Sequence, residues 1–150
     1  MFLATSMGNP ATASPVTVDG YAVGYLPHGI SRPPSAFAYE WENVVFHSLV
    51  WESGDDEHGW KVDMSVAILR GSRLTSPAAL NAFWTKYTAG DAEPWRPVPV
   101  RVHGKPGFRS GSRIVWLDQA GIAPTVSIDI SRFSADELMP TAQGIRQLSD

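Results

Sequence analysis

The chain has 150 residues, 43% hydrophobic and 18% charged, which is typical of one folded globular domain. It has no cysteine, which excludes disulfides and thiolate metal sites. The net charge of −3 argues against a nucleic-acid partner, because phosphate neutralisation needs a basic face. No segment approaches the roughly 20 apolar residues of a membrane span, so none is predicted in this chain.

The first residues are apolar, and small or polar residues follow them as far as Pro15. We expect residues 1–15 to form a disordered N-terminal arm. The alternative is the tail of a removed or truncated membrane segment. The first basic residue is Arg32, so a complete secretory signal is not indicated.

The first half predicts strands and then a helix. Alternation at Tyr21, Val23 and Tyr25 indicates a half-buried strand, and the apolar run from Val44 to Trp51 indicates a central one. After a hairpin loop over 54–59, period-two alternation predicts a strand with one apolar face. That face consists of Trp60, Val62, Met64, Val66 and Ile68. Ser76-Pro77 predicts a helix start, and the helix carries Leu80, Phe83, Trp84 and Tyr87 as its apolar stripe.

The second half predicts the same kinds of element. Val98, Val100 and Val102 alternate, a turn is expected over 104–107, and Ile114–Leu117 reads as a buried strand. Further alternation follows at Val126, Ile128 and Ile130. Ser134 and Glu137 have the spacing of a capping box, which predicts a helix whose apolar stripe is Leu138, Ala142, Ile145 and Leu148. Pro140 lies inside this helix and is expected to kink or weaken it.

The two halves share an order of motifs that suggests an internal duplication. Val16–Gly20 and Val100–Gly104 both read V-x-V-x-G, and Trp51 and Trp116 both follow an apolar residue and a valine. We therefore predict an α+β fold, mainly antiparallel sheet with two helices packed on one face, built as a tandem β-β-β-α duplication. The domain spans 16–150, with similar halves at 16–90 and 98–150. The alternative is chance recurrence of short strands and capped helices.

Three groups of polar residues are candidate sites. The acidic hairpin tip carries Glu52, Asp55, Asp56, Glu57 and His58, but its spacing is not that of a calcium loop, and a solvated turn is favoured. The four histidines lack zinc-site spacing. A window without acids is the better candidate for binding an anion. It holds Arg96, Arg101, His103, Lys105, Arg109 and Arg113. It lacks a phosphate-loop pattern, so solvated surface cations are the alternative.

The six tryptophans divide into two groups. Trp51, Trp60, Trp84 and Trp116 lie on apolar patterns and are expected in the core. Trp41 and Trp95 lie near predicted loops and are expected to form an exposed contact, because aromatic anchors dominate interfaces. The candidate binding residues are therefore Trp41, Trp95, Arg101, His103, Lys105, Arg109 and Arg113. No catalytic residue, metal site or cofactor is predicted.

The second half resembles an uncharacterised extracytoplasmic domain of actinobacterial membrane-anchored or secreted proteins, similar to domains found beyond the membrane segment of some anti-sigma-factor-like proteins. The resemblance rests on V-x-V-x-G-x-x-G at Val100–Gly107, on Val115-Trp116 and on S-x-x-E-L at Ser134–Leu138. It implies an extracytoplasmic location and a non-enzymatic sensing or interaction role.

Three functions stay open at this point. A non-catalytic interaction or sensing domain with a protein partner is favoured. A small-ligand-binding domain with a Trp/Tyr-lined pocket is the alternative, and a small enzyme using convergent His and carboxylates is the least favoured. The sequence does not define an oligomeric state.

Overall fold

The computed structural model describes residues 16–148. Its main element is a seven-stranded antiparallel sheet. The predicted N-terminal arm, residues 1–15, lies outside the described residues. The strands of this sheet are β3 (Ser35–Trp41), β4 (Val44–Asp55), β5 (Gly59–Arg70), β6 (Val98–Val102), β7 (Lys105–Ser110), β8 (Arg113–Trp116) and β9 (Ile122–Ile128). Their order is β3-β4-β5-β9-β8-β7-β6, so β3 and β6 form the edges. The predicted α+β architecture, mainly antiparallel sheet with two helices, is confirmed.

A second, three-stranded sheet joins the beginning and the end of the described chain. It contains β1 (Val16–Val18), β2 (Tyr21–Val23) and β10 (Ile145–Gln147), in the order β1-β2-β10. The last strand lies where the sequence pattern predicted helix. Gly144 is one cause, because a Cβ there would lie 2.9 Å from the backbone nitrogen of Tyr25. Only glycine permits this close approach, which places the next residues, β10, beside β2.

The second helix is shorter than predicted. Ser134 caps a 3-10 turn at Ala135–Glu137, and α2 then spans Leu138–Gln143. Pro140 therefore falls in the first turn of α2, where its missing N–H has no intrahelical partner to lose. The predicted capping box is wrong, because the Glu137 carboxylate instead accepts hydrogen bonds from the Tyr25 hydroxyl and the His28 backbone N–H.

The two helices lie on opposite faces of the large sheet, so the prediction of one shared face is wrong. Helix α1 (Pro77–Tyr87) has the predicted Ser76 cap and packs Leu80, Phe83 and Trp84 against one face. Helix α2 packs on the other face together with the three-stranded sheet. Alternation along each strand sends neighbouring residues to opposite faces, and β5 is long enough to supply both cores.

The predicted duplication is not confirmed. The matched V-x-V-x-G segments occupy unlike places, since β1 belongs to the small sheet and β6 is an edge of the large one. The turn predicted over 104–107 is formed one residue earlier, by His103 and Gly104, both with positive φ. Gly107 instead lies inside β7, where a Cβ would meet the Val115 carbonyl oxygen at 2.3 Å.

Candidate functional site

Helix α1 covers only part of its face of the large sheet. Under the helix, cross-strand neighbours are apolar, as in the row formed by Tyr39, Phe46, Leu69 and Ala123. Four residues further along the strands, a row of directly opposed residues runs across the sheet and is mostly polar. It consists of Ser35, Val50, Ser65, Ser127, Arg113 and Ser110. A polar row between an apolar core and solvent is the distinctive chemical feature of this face.

Exposed apolar side chains lie on both sides of that row. Phe37 pairs with Ser48 between the two rows, whereas Val62 and Trp60 pair with Glu52 and Gly54 beyond the polar row. Phe37, Trp60 and Val62 are 54%, 48% and 50% exposed, respectively. The prediction that Trp60 belongs to the core is therefore wrong. The Arg32 guanidinium carbon lies 5.2 Å from the centre of the Trp60 ring, so the indole is held at the surface beside a cation.

A β-bulge explains the position of Trp60. Trp51 pairs with Met64 but Glu52 pairs with Val62, so Asp63 is an extra residue in β5. The bulge turns Val62 and Trp60 to the face opposite Met64, which breaks the predicted period-two face. Asp63 is buried, and it accepts hydrogen bonds from Ser53 and from Arg132, whose Nη1 is 2.5 Å from Oδ1.

Arg113 is the one predicted cation that lines a cavity with aromatic rings and hydroxyls. It is half-buried, and its guanidinium carbon lies 4.7 Å from the centre of the Trp84 ring. Nη1 donates to the Thr125 hydroxyl over 3.0 Å, and that hydroxyl donates to the Ile114 carbonyl. Among residues 16–148, no carboxylate forms an ion pair with Arg113. A guanidinium has five N–H donors, so most of its capacity is not used by this hydroxyl.

Two small cavities meet at Arg113, and both are also lined by Trp84 and Tyr87. The smaller, about 70 Å³, reaches toward β3 and β5 and is further lined by Tyr39, Phe46, Ser48, Ser65, Ala67 and Thr125. The larger, about 140 Å³, opens toward the segment after α1 and is further lined by Thr88, Asp91, Glu93, Pro94, Trp95, Ser110, Ser112 and Ser127. One cavity is thus rich in hydroxyls, and the other has two carboxylates near its mouth.

Hydrogen bonds fix much of this lining. The Ser65 and Ser127 hydroxyls are 2.8 Å apart, and the Tyr39 and Tyr87 hydroxyls are hydrogen-bonded to each other. Glu93 accepts from the backbone N–H and the hydroxyl of Ser112. The buried indole nitrogen of Trp84 has no hydrogen-bond partner among the described residues. An unpaired buried N–H costs free energy, and such groups are rare in native proteins.

The electrostatics of the site follow from this burial. Desolvation lowers the pKa of Arg113, and the nearby Tyr87, Tyr39, Glu93 and Asp91 act in the opposite direction. Desolvation raises the pKa of Tyr39, and its hydrogen bond with Tyr87 adds to the rise. The Tyr39 hydroxyl is therefore neutral where it lines the cavity. The site presents one cation at its base and carboxylates at one end.

Both tryptophans predicted as exposed contacts are half-buried against α1. The Trp95 ring is stacked 5.9 Å from Trp84, and its indole N–H donates to Asn81. It therefore forms one wall of the larger cavity. Trp41 packs edge-on against Phe83 and Tyr87 and contributes to the core under the helix. Of the two, only Trp95 reaches the cavity.

The other predicted cations are dispersed. Arg109 donates to the Ala135 carbonyl on the α2 face, and Lys105 donates to the Asp118 carbonyl. Arg101 donates to the Gly104 carbonyl at the β6 edge, beside an open apolar groove that includes Pro77, Pro99, Pro106 and Phe108. His103 is in the β6–β7 turn, with its ring nitrogen 3.1 Å from the Ile145 carbonyl. These four residues therefore do not form a common anion-binding site.

The acidic hairpin tip forms a local turn. Asp55 accepts from the backbone N–H and the ring of His58, and Asp56 accepts from the Trp60 indole. Within residues 16–148, no three His, Cys, Asp or Glu side chains are grouped so as to hold a metal ion. Across the same range, no helix has the length and apolar character needed to cross a membrane.

Five residues that line the cavities are not among the predicted site residues: Tyr39, Tyr87, Ser65, Ser127 and Thr125. Tyr87 belongs to the apolar stripe of a helix, and the other four residues are distributed over three strands. Only the strand register brings the strand residues together around Arg113, and periodicity within a strand does not reveal register between strands. The available signal is that Thr125 and Ser127 occupy alternate positions of the otherwise apolar segment Ile122–Ile128.

Comparison with known proteins finds no match, since no protein-family model, no curated protein and no solved structure is significantly similar to the chain.

Proposed function

We propose that this chain is a non-catalytic binding domain that accommodates a small zwitterion in the cavities around Arg113. The observation that carries the proposal is the half-buried guanidinium, which has no ion-pair partner among residues 16–148 and lies on an aromatic ring. A ligand carboxylate can accept paired hydrogen bonds from such a fork, and the low-dielectric surroundings strengthen them.

The distribution of charge favours a ligand with a second, positive group. Asp91 and Glu93 line the larger cavity at a distance from the Thr125 end of Arg113. A simple anion would meet these carboxylates unfavourably, whereas an ammonium group would be attracted to them. The Trp84 and Trp95 rings in the same wall favour cations over their faces.

The cavity volumes limit the size of the ligand. About 140 Å³ and 70 Å³ are well below the several hundred Å³ of a pocket for drug-sized molecules. A molecule with a carboxylate, an amine and a short aliphatic spacer fits this scale. The proposal therefore concerns amino acids with small or no side chains and their longer ω-amino relatives.

The experiment is a calorimetric titration with acetate, methylammonium, glycine, β-alanine and 4-aminobutyrate. We expect at least one zwitterion to bind at least tenfold more tightly than acetate or methylammonium. Arg113→Met is expected to abolish binding, and Asp91→Asn to weaken zwitterion binding without weakening acetate binding. Arg101→Met is the matched control, because it makes the same change at an exposed arginine outside the cavities. Binding by Arg113→Met as tight as wild type, or no binding by any probe, overturns the proposal.

Protein interaction is the second candidate function. The exposed Phe37, Trp60 and Val62 on one open face support it, because contiguous exposed apolar side chains are characteristic of contact surfaces. Capture with the purified wild-type domain, compared with a Trp60→Ser variant, tests it. A specific partner retained equally by both proteins would contradict a role for this surface.

The proposed location is extracytoplasmic, and its support is the resemblance of residues 100–148 to extracytoplasmic actinobacterial domains. Fractionation of native cells with an antibody against the domain tests it. The protein is expected outside the cytoplasmic fraction, and recovery together with a cytoplasmic marker enzyme would contradict the proposal.

A further inference from the structure

We propose that the β3 edge of the large sheet pairs with β3 of a second copy of this chain, in an antiparallel register centred on Ala38. This inference is independent of the proposed ligand. It rests on the unequal protection of the two sheet edges and on the self-complementary pattern of residues 36–40.

The two edges of the large sheet differ in how they are protected. The two-residue turn at His103 and Gly104 closes β6 onto β7 with Val102 and Lys105 as the last pair. Turns of this type close on a hydrogen-bonded pair, and the pattern then alternates, so the backbone of residues 99 and 101 points outward. Pro99 stands at one of these outward positions and has no N–H to donate. The β6 edge therefore carries a standard device against strand addition.

The β3 edge has no such device. Glu42 and Asn43, both with positive φ, close β3 onto β4 at the Trp41–Val44 pair. By the same alternation, the backbone N–H and C=O groups of residues 36, 38 and 40 point away from β4. Residues 35–40 are all exposed, and the strand contains no proline and no lysine. An exposed, unprotected edge of this length is a template for pairing with another strand.

The sequence of β3 is complementary to itself when reversed about Ala38. In that register Ala38 lies opposite Ala38 of the second copy, and Ala36 lies opposite Glu40. These are the outward-pointing residues, so each such pair exchanges both backbone hydrogen bonds. The two Glu40 side chains are then four residues apart along the strand, roughly 14 Å at about 3.4 Å per residue, and do not repel strongly.

The same register pairs the exposed aromatic side chains. Phe37 of each copy lies opposite Tyr39 of the other, in the non-hydrogen-bonded positions where side chains approach most closely. Phe37 is 54% exposed and Tyr39 is 45% exposed, so both have apolar surface to bury. Aromatic cross-strand pairs are among the most favourable in antiparallel sheets. Tyr39 also lines the smaller cavity beside Arg113, so the paired edge adjoins the proposed binding site.

The test is sedimentation velocity of the full chain from about 1 μM to about 1 mM, a range that spans weak to moderate dimers. We expect a concentration-dependent dimer. Ala38→Lys and Ala38→Glu each place two like charges directly opposite each other, and each is expected to weaken the dimer at least tenfold. Ala78→Lys is the matched control, because Ala78 is exposed on α1, remote from β3, and should leave the dimer unchanged.

Mixing the two Ala38 variants tests the register itself. Lysine opposite glutamate removes the repulsion, so the mixture is expected to form a heterodimer near the wild-type affinity, which also shows that both variants are folded. Three results overturn the proposal: a monomeric wild type at about 1 mM, an Ala38→Lys dimer as tight as wild type, or a mixture that stays monomeric.

Discussion

The two faces of the large sheet contain similar residues but are covered differently. On the α2 side, the small sheet and the helix bury Trp51, Met64, Ile114 and Trp116 almost completely. On the α1 side, one helix of 11 residues covers the Phe46 end and leaves Phe37, Val62 and Trp60 exposed. The comparison shows that a tryptophan on a strand belongs to the core only when another layer covers that part of the strand.

The largest expected effect comes from truncating a tryptophan on each face. Trp116→Ala leaves a cavity in the covered core and is expected to lower the free energy of unfolding by about 3–5 kcal/mol. Trp60→Ala removes a surface side chain and is expected to cost less than about 0.5 kcal/mol. Urea denaturation of both variants checks the difference. Equal losses would mean that the open part of the α1 face is covered in solution.

A second comparison concerns two ion pairs at the margins of the sheet. Arg132→Met leaves the buried carboxylate of Asp63 without its cation, and we expect a loss of about 2–4 kcal/mol. Lys86→Met breaks the exposed pair with Glu42, which solvent screens, and is expected to have a much smaller effect. Thermal unfolding measures both. If adding Asp63→Asn to Arg132→Met restores no stability, the unpaired charge is not the cause of the loss.

Acid should affect the loop that anchors the β4–β5 hairpin. Hydrogen bonds from Ser131 and then Arg132 lower the pKa of Asp129 to about 2, from its ordinary value of 3.8. Because the folded pKa is depressed, this stabilisation is present above about pH 4 and is lost as the pH falls toward 2. The contribution is about 1 kcal/mol after allowance for solvent screening. Wild type and Asp129→Asn, compared by urea denaturation at pH 5 and pH 2.5, should differ by that amount only at pH 5.

Only a small effect on stability is expected at Arg113. Replacing a half-buried, unpaired guanidinium by methionine removes a desolvated charge and keeps apolar contact with Trp84. We expect Arg113→Met to change the free energy of unfolding by less than about 1 kcal/mol while it abolishes ligand binding. A loss of 3 kcal/mol or more would mean that Arg113 supports the fold rather than a site.

Much of the fold could be predicted from local patterns. The Ser76 cap and the apolar stripe placed α1, and the continuous apolar run placed β4. Failures occurred where tertiary contacts decided the outcome. The Asp63 bulge exists because Arg132 reaches its carboxylate from a distant loop, and β10 forms because Gly144 packs on Tyr25. Neither partner is near in sequence.

The candidate site could be predicted only in part. Arg113 and Trp95 were identified because of their charge and their position near a loop, and both line the larger cavity. Arg101, Lys105 and Arg109 were grouped with Arg113 because they are close in sequence, but strand alternation and the β6–β7 turn separate them. The tyrosine and serine hydroxyls join the site through strand register, which residue patterns alone did not define.

The most direct test of the account is a titration of the ¹⁵N-labelled protein with the tightest-binding zwitterion, observing its six tryptophan indole N–H resonances. We expect the Trp84 and Trp95 resonances to shift as the ligand binds, while those of Trp51 and Trp116 on the covered face do not move. We also expect Arg113→Met to remove the shifts. Shifts confined to the Trp51 and Trp116 resonances, or unchanged in Arg113→Met, would contradict the claim that the site lies on the α1 face.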